Sequence, residues 1–116
     1  MLAPNEIAKI AATALENKKA QDIKILKTAE QTVLADYFVI CHGTSSTNIK
    51  ALVNEVDKEL SDAGEPPVRR EGLRSDIWVL MDFGSVIVHI FTDEARKFYN
   101  LERLWSDSEE VSLSSL

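Results

Sequence analysis

Two apolar runs, Ile77–Met81 and Val86–Phe91, are separated by only four residues, Asp82, Phe83, Gly84 and Ser85. They read as the two strands of a hairpin, followed by a short terminal helix over Tyr99–Trp105. In each run both side-chain parities are mostly apolar: Ile77, Val79 and Met81 against Trp78 and Leu80, then Val86, Val88 and Ile90 against Ile87 and Phe91. Strands of this kind are covered on both faces. A chain of 116 residues is short for supplying both covers, which points to a partner surface. Trp78 is the natural anchor for it, because an indole combines a large apolar area with one hydrogen-bond donor.

The length fits one compact domain, expected over residues 1–105, with the acidic, Ser-rich residues 106–116 as a solvated, disordered tail. An apolar share of 45% beside 28% charged residues is that of an ordinary globular chain. No run approaches the roughly 20 apolar residues of a membrane helix. The first residues carry neither a secretory nor a transit signal, so a cytoplasmic location is expected. Cys41 is the only cysteine and stands in an apolar run, which excludes an intrachain disulfide and predicts a buried, inert thiol. A net charge of −6 disfavours extensive contact with nucleic-acid phosphates and suits a basic protein partner.

Ile7, Ile10, Ala11, Ala14 and Leu15 recur at helical spacing between Pro4 and Asn17, with Pro4 in the first turn where its missing donor costs little. Asp22–Leu26 alternates as a half-buried or edge strand does, and Tyr37–Cys41 is continuously apolar, hence central. Ala29–Thr32 is expected to be a turn between them. The hydroxyls of Thr44–Thr47 offer caps to a second helix whose buried stripe is Ile49, Leu52, Val53, Val56 and Leu60, ending near Gly64. Pro66 and Pro67 stop it, and Val68–Gly72 is a short strand or extended segment. The expected fold is therefore α+β, with order α-β-β-α-β-β-β-α and one mixed sheet of about five strands flanked by helices.

Three constellations bear on chemistry. Cys41–Thr47 leaves a strand and enters a helix, where backbone N–H groups attract anions. It lacks the lysine of a P-loop and the spaced glycines of a dinucleotide site, so simple capping and an anion site both stay open. The strand, polar loop and helix resemble the nucleotidyltransferase fold, but no paired carboxylates for magnesium stand in any expected strand. Asp82 is alone at a turn, and Asp93 and Glu94 diverge. The two histidines, His42 and His89, have too few companions for a metal site, and His89, in an apolar strand, reads as a hydrogen-bonded, partly buried imidazole. The third group is Arg69, Arg70, Glu71, Gly72, Leu73, Arg74, Trp78 and Asp82. These are either a solvated loop with a core tryptophan or a binding face rich in the residue types of protein interfaces. No aromatic stacking platform interleaves the arginines, so RNA contact is secondary.

Lys18–Ile23, Ala35–Ile40, Gly43–Ser46, Glu71 with Gly72, Trp78–Gly84, Val86–His89 and Phe98–Trp105, in this order, resemble the ribosomal silencing factor (RsfS, Iojap-related) family. The resemblance spans about nine-tenths of the chain. It implies a nucleotidyltransferase-like topology without catalytic carboxylates, hence a binder rather than an enzyme, with no cofactor and no metal. It further implies docking on the fourteenth protein of the large ribosomal subunit, at the face that meets the small subunit. The consequence would be a block to subunit joining and repression of translation when nutrients run short. Carried over by residue, the binding surface comprises Glu71, Gly72, Trp78, Asp82 and Gly84, with Arg69 and Leu73 beside them. The alternatives are a nucleotidyltransferase-like nucleotide-binding protein and a homodimeric adaptor; a homodimer is also compatible with the family resemblance.

Overall fold

The computed structural model describes residues 2–28, 35–74, 77–104, 106 and 108–116. The first helix, α1 (Pro4–Asn17), begins with proline in its first turn, and the Glu6 carboxylate accepts the Ala3 N–H at 3.1 Å. Its inner stripe is mostly alanine, with Ile7 and Leu15 among Ala8, Ala11, Ala12 and Ala14, which lets the helix lie close to its neighbours. Two strands follow, β1 (Gln21–Lys27) and β2 (Tyr37–Gly43). The helix α2 (Ser46–Asp62) is capped by Ser45, whose hydroxyl accepts the Asn48 N–H at 3.0 Å, and buries the apolar stripe Ile49, Leu52, Val53, Val56 and Leu60. The edge strand β3 (Arg69–Glu71) then leads to the hairpin of β4 (Trp78–Asp82) and β5 (Val86–Thr92). The turn expected over Ala29–Thr32 lies outside the described residues.

The sheet is mixed and has six strands in the order β3-β4-β5-β2-β1-β6, with only β2 and β5 parallel. The expected mixed sheet of about five strands is present, with one short strand more at its β1 side. That strand is β6 (Glu109–Val111), drawn from the supposed tail: it pairs antiparallel with β1 through Ile25 and Val111, so β1 is not the sheet edge. A 3-10 turn at Leu113–Ser115 follows, and Val111, Leu113 and Leu116 pack on the core. Residues 109–116 are therefore part of the fold. Their acidity misled the expectation, because one inward valine in a three-residue strand is enough when the edge of β1 stands ready to pair.

A helix not expected from sequence precedes the expected terminal one over Tyr99–Trp105. Helix α3 (Asp93–Tyr99) starts directly after β5, with the Thr92 hydroxyl accepting the Ala95 N–H at 3.1 Å. Asn100, at φ 46°, turns left-handed and separates it from the short α4 (Leu101–Leu104). Trp105 lies outside the described residues.

The two sheet faces have unequal cover. On one, α1 and α2 bury Val39, Cys41, Val79, Met81, Val86, Val88 and Ile90. On the other, Leu26, Phe38, Ile40, Phe91 and Ala95 form a smaller cluster, with Trp78, Ile87 and Leu101 only partly buried against it.

Candidate docking face on the β3, β4, β5 edge

Register decides which candidate residues share a surface. In the β4, β5 ladder Trp78 faces Phe91, Leu80 faces His89 and Asp82 faces Ile87, so these six side chains stand on the less covered side of the sheet. Arg69 opposite Asp82 and Glu71 opposite Leu80 extend that surface onto β3. Arg70 points the other way and meets Asp57 of α2 at 2.8 Å. Thus Arg69, Glu71, Trp78 and Asp82 share one face.

The polar end of this face is a small charge cluster. The Arg69 guanidinium lies 3.6 Å from the Asp82 carboxylate and 4.0 Å from that of Glu71. One cation between two carboxylates leaves a net negative edge. At the apolar end the Trp78 ring stacks on Phe91, centroids 5.0 Å apart, and packs against Tyr99 at 4.8 Å. Phe98 continues the aromatic run, edge-on to Tyr99 and 81% exposed, and Ile77 is half exposed beside it.

Gly72 and Gly84 enter through their backbones. Gly72 has φ 81°, and a Cβ there would overlap the Trp78 carbonyl, so this glycine lets the exit of β3 lie across the start of β4. Gly84 has φ 85° in the hairpin turn, where its N–H donates to Asp82 Oδ1 at 2.8 Å. Leu73 is set apart from these residues: it lines a small cleft with Ile49, Val53 and Val79, toward α2.

The binding face read from sequence does not include Phe98, Tyr99, Leu80 or Ile87. Parity with Trp78 was a usable signal for Leu80. Recognising Thr92 as a helix cap, ahead of an acidic first turn, would have placed Phe98 and Tyr99 on α3.

Both histidines have a pKa lowered from the ordinary imidazole value, first of all by burial. His89 is buried, and its Nδ1 accepts the Trp78 indole N–H at 3.1 Å; burial pulls its pKa down to about 4. The expected hydrogen-bonded imidazole is there. His42 Nδ1 lies 2.9 Å from Arg96 Nη1, and since a guanidinium only donates, that nitrogen accepts. Burial and the Arg96 charge lower its pKa. Among the described residues no group of three or more His, Cys, Asp or Glu side chains is placed to hold a metal ion. Cys41 is buried, and desolvation pushes its thiol up to about 12.

A cleft of about 970 Å³ opens at the C-terminal ends of β2 and β5, lined by Gly43, Thr44, Ser45, Asp93 and Glu94 among others. This is where the anion reading would apply. Capping accounts for the hydroxyl loop: Ser45 serves Asn48, and Asn48 Oδ1 accepts the Thr44 N–H at 3.0 Å. The Asp93 and Glu94 carboxylates on its wall disfavour an anion. Among the described residues no helix is long and apolar enough to cross a membrane.

Residues 2–116 match the model of a family described as ribosomal silencing factor during starvation. The chain is 41% identical over 107 residues to ribosomal silencing factor RsfS of Bacillus subtilis, covering 92% of this chain and 91% of that one. It is 36% identical over 95 residues to a mouse protein named mitochondrial assembly of ribosomal large subunit protein 1, covering 79% of this chain and 42% of the mouse protein. A crystal structure of a Chromobacterium violaceum protein superposes with a TM-score of 0.88 at 38% identity, over 96% of this chain and 92% of that one.

Proposed function

The chain belongs to the ribosomal silencing factor family, and from that premise we propose that it docks on the large ribosomal subunit through the face around Trp78 and keeps the small subunit from joining. The observation that carries this reading is the unequal cover of the sheet. Trp78, Leu80 and Ile87 stay partly exposed on one face of the sheet, whereas the opposite face of the same strands is buried under α1 and α2. An aromatic anchor in an apolar surround with a charged rim is the composition of a binding hot spot.

The partner in this reading is the fourteenth protein of the large subunit, at the surface that meets the small subunit. A negative edge from Glu71 and Asp82, on a chain of net charge −6, suits a basic ribosomal protein. Such complementarity speeds encounter and sets orientation more than it adds affinity. Direct RNA contact is minor, since Arg69 and Arg70 are already engaged by carboxylates. The mechanism is steric: the bound domain occupies volume the small subunit needs, no bond is made or broken, and repression follows in the cytoplasm where subunits meet.

Co-sedimentation with isolated large subunits, isolated small subunits and joined ribosomes tests this. Binding to large subunits alone is expected, and Trp78→Ala should weaken it by at least about 2 kcal/mol while leaving the domain folded. A folded Trp78→Ala chain that binds as well as the parent overturns the assignment of the face. The same uncovered face offers a surface for a second copy of the chain. Sedimentation at several concentrations reads that self-association, which would compete with docking.

A further inference from the structure

The Trp78 indole spends its only donor inward. Trp78 and His89 are diagonal neighbours across β4 and β5, since Leu80 is the residue directly opposite His89. The indole Nε1 donates to His89 Nδ1 at 3.1 Å. The imidazole lies in an aromatic box, edge-on to Phe38 with centroids 5.0 Å apart and nearly parallel to Phe91 at 6.2 Å. It is only 4% exposed, and its Nε2 has no hydrogen-bond partner among the described residues.

A leucine or phenylalanine would fill such a layer without burying an unpaired polar atom. The imidazole therefore carries a cost that packing alone does not explain, and its other nitrogen offsets that cost by accepting the indole proton.

Resting on the docking reading above, we infer that His89 is the positioning residue for Trp78: by accepting the indole N–H it fixes the orientation of the anchor before any partner arrives. Two consequences follow for recognition. The ordering of the large side chain is done in the free protein, so less rotamer entropy is lost on docking. The partner meets the ring as an apolar body and need not supply an acceptor at that point. Because an indole only donates, His89 must be the neutral Nε2–H tautomer.

The test combines nitrogen NMR of the free protein with binding to isolated large subunits. The two variants are His89→Leu, which removes the acceptor, and His89→Asn, whose side-chain oxygen restores one near the position of Nδ1. Trp105→Phe separates the two indole signals. The expected results are an Nε2–H imidazole in the parent and a Trp78 indole proton that exchanges about tenfold slower than in His89→Leu. Affinity for large subunits should fall about tenfold in His89→Leu and largely return in His89→Asn, the scale of one lost hydrogen bond.

An Nδ1–H tautomer in the parent overturns the assignment. So does a folded His89→Leu chain with unchanged indole exchange and unchanged affinity. If His89→Leu does not fold, the parent tautomer and a folded His89→Asn decide: retained protection and binding support the role, and loss of both overturns it. A parent chain that ignores large subunits overturns the docking reading and the docking role with it, whereas the imidazole and indole signals still judge the pair without a ribosome.

Discussion

Gly72 and Gly84 both have positive φ, yet their surroundings differ in a way that stability measurements resolve. A methyl group at Gly72 would overlap the Trp78 carbonyl, whereas at Gly84 it meets nothing within 4 Å. Gly84→Ala should cost about 1 kcal/mol, the left-handed backbone penalty alone. Gly72→Ala adds a backbone displacement and should cost more than about 2 kcal/mol. Urea midpoints compare the two directly, and equal losses would deny Gly72 its close-approach role. Both glycines were legible in sequence as members of the candidate face, but their backbone function was not. The distance from a missing Cβ to a neighbouring strand depends on how β3 and β4 lie together. His89 follows the same pattern: its parity and apolar surroundings promised a hydrogen-bonded imidazole, while the identity of the donor, Trp78, required the register of the hairpin.

At the level of elements, one buried cation holds the C-terminal helices to the sheet. Arg96 is 6% exposed; it donates to Glu102 at 3.1 Å and to the Gln21 carbonyl at 3.3 Å, and lies 3.6 Å from Asp22 at the irregular start of β1. Glu102→Ala strands much of that charge and should cost about 2 kcal/mol, because removing one partner of a buried pair leaves the other uncompensated. Glu71→Ala, which removes a solvent-exposed partner of Arg69, should stay within about 0.5 kcal/mol. Similar losses in thermal or urea unfolding would contradict the burial argument. Deleting residues 109–116 removes β6 and the packing of Val111, Leu113 and Leu116, so a loss of at least about 2 kcal/mol is expected in the same assay. A truncated chain as stable as the parent would return those residues to the status of a tail. Helix faces α1 and α2 and strands β1, β2, β4 and β5 announce themselves through apolar periodicity, since their burial is written at short range. Strand β6 does not, because its partner Ile25 lies 86 positions away from Val111 and only their meeting makes Glu109–Val111 a strand.

Across the whole molecule, two histidines with lowered pKa make stability depend on pH. His89 has a pKa near 4 in the folded protein, against 6.5 for an unburdened imidazole, and that of His42 is lowered as well. A depressed value means that the unfolded chain binds the proton first. The contribution of His89 is therefore fully present above pH 6.5 and is lost as pH falls toward 4, up to about 3 kcal/mol, and that of His42 is lost in the same direction. Urea unfolding between pH 7.5 and 4.5 should show this decline, and His89→Leu should flatten it; an unchanged slope in that variant would locate the titration elsewhere. The class of fold, the two principal helices, the hairpin and the candidacy of Trp78 for the proposed docking role follow from periodicity and residue chemistry, because those depend on neighbours within a few positions along the chain. The six-strand order, the uneven cover of the two faces, the sharing of one surface by Arg69, Glu71, Trp78 and Asp82, and the inward turn of the indole onto His89 arise only when distant strands pair. Pairing register is a long-range property, and a shift of one residue would have sent each of those side chains to the opposite face.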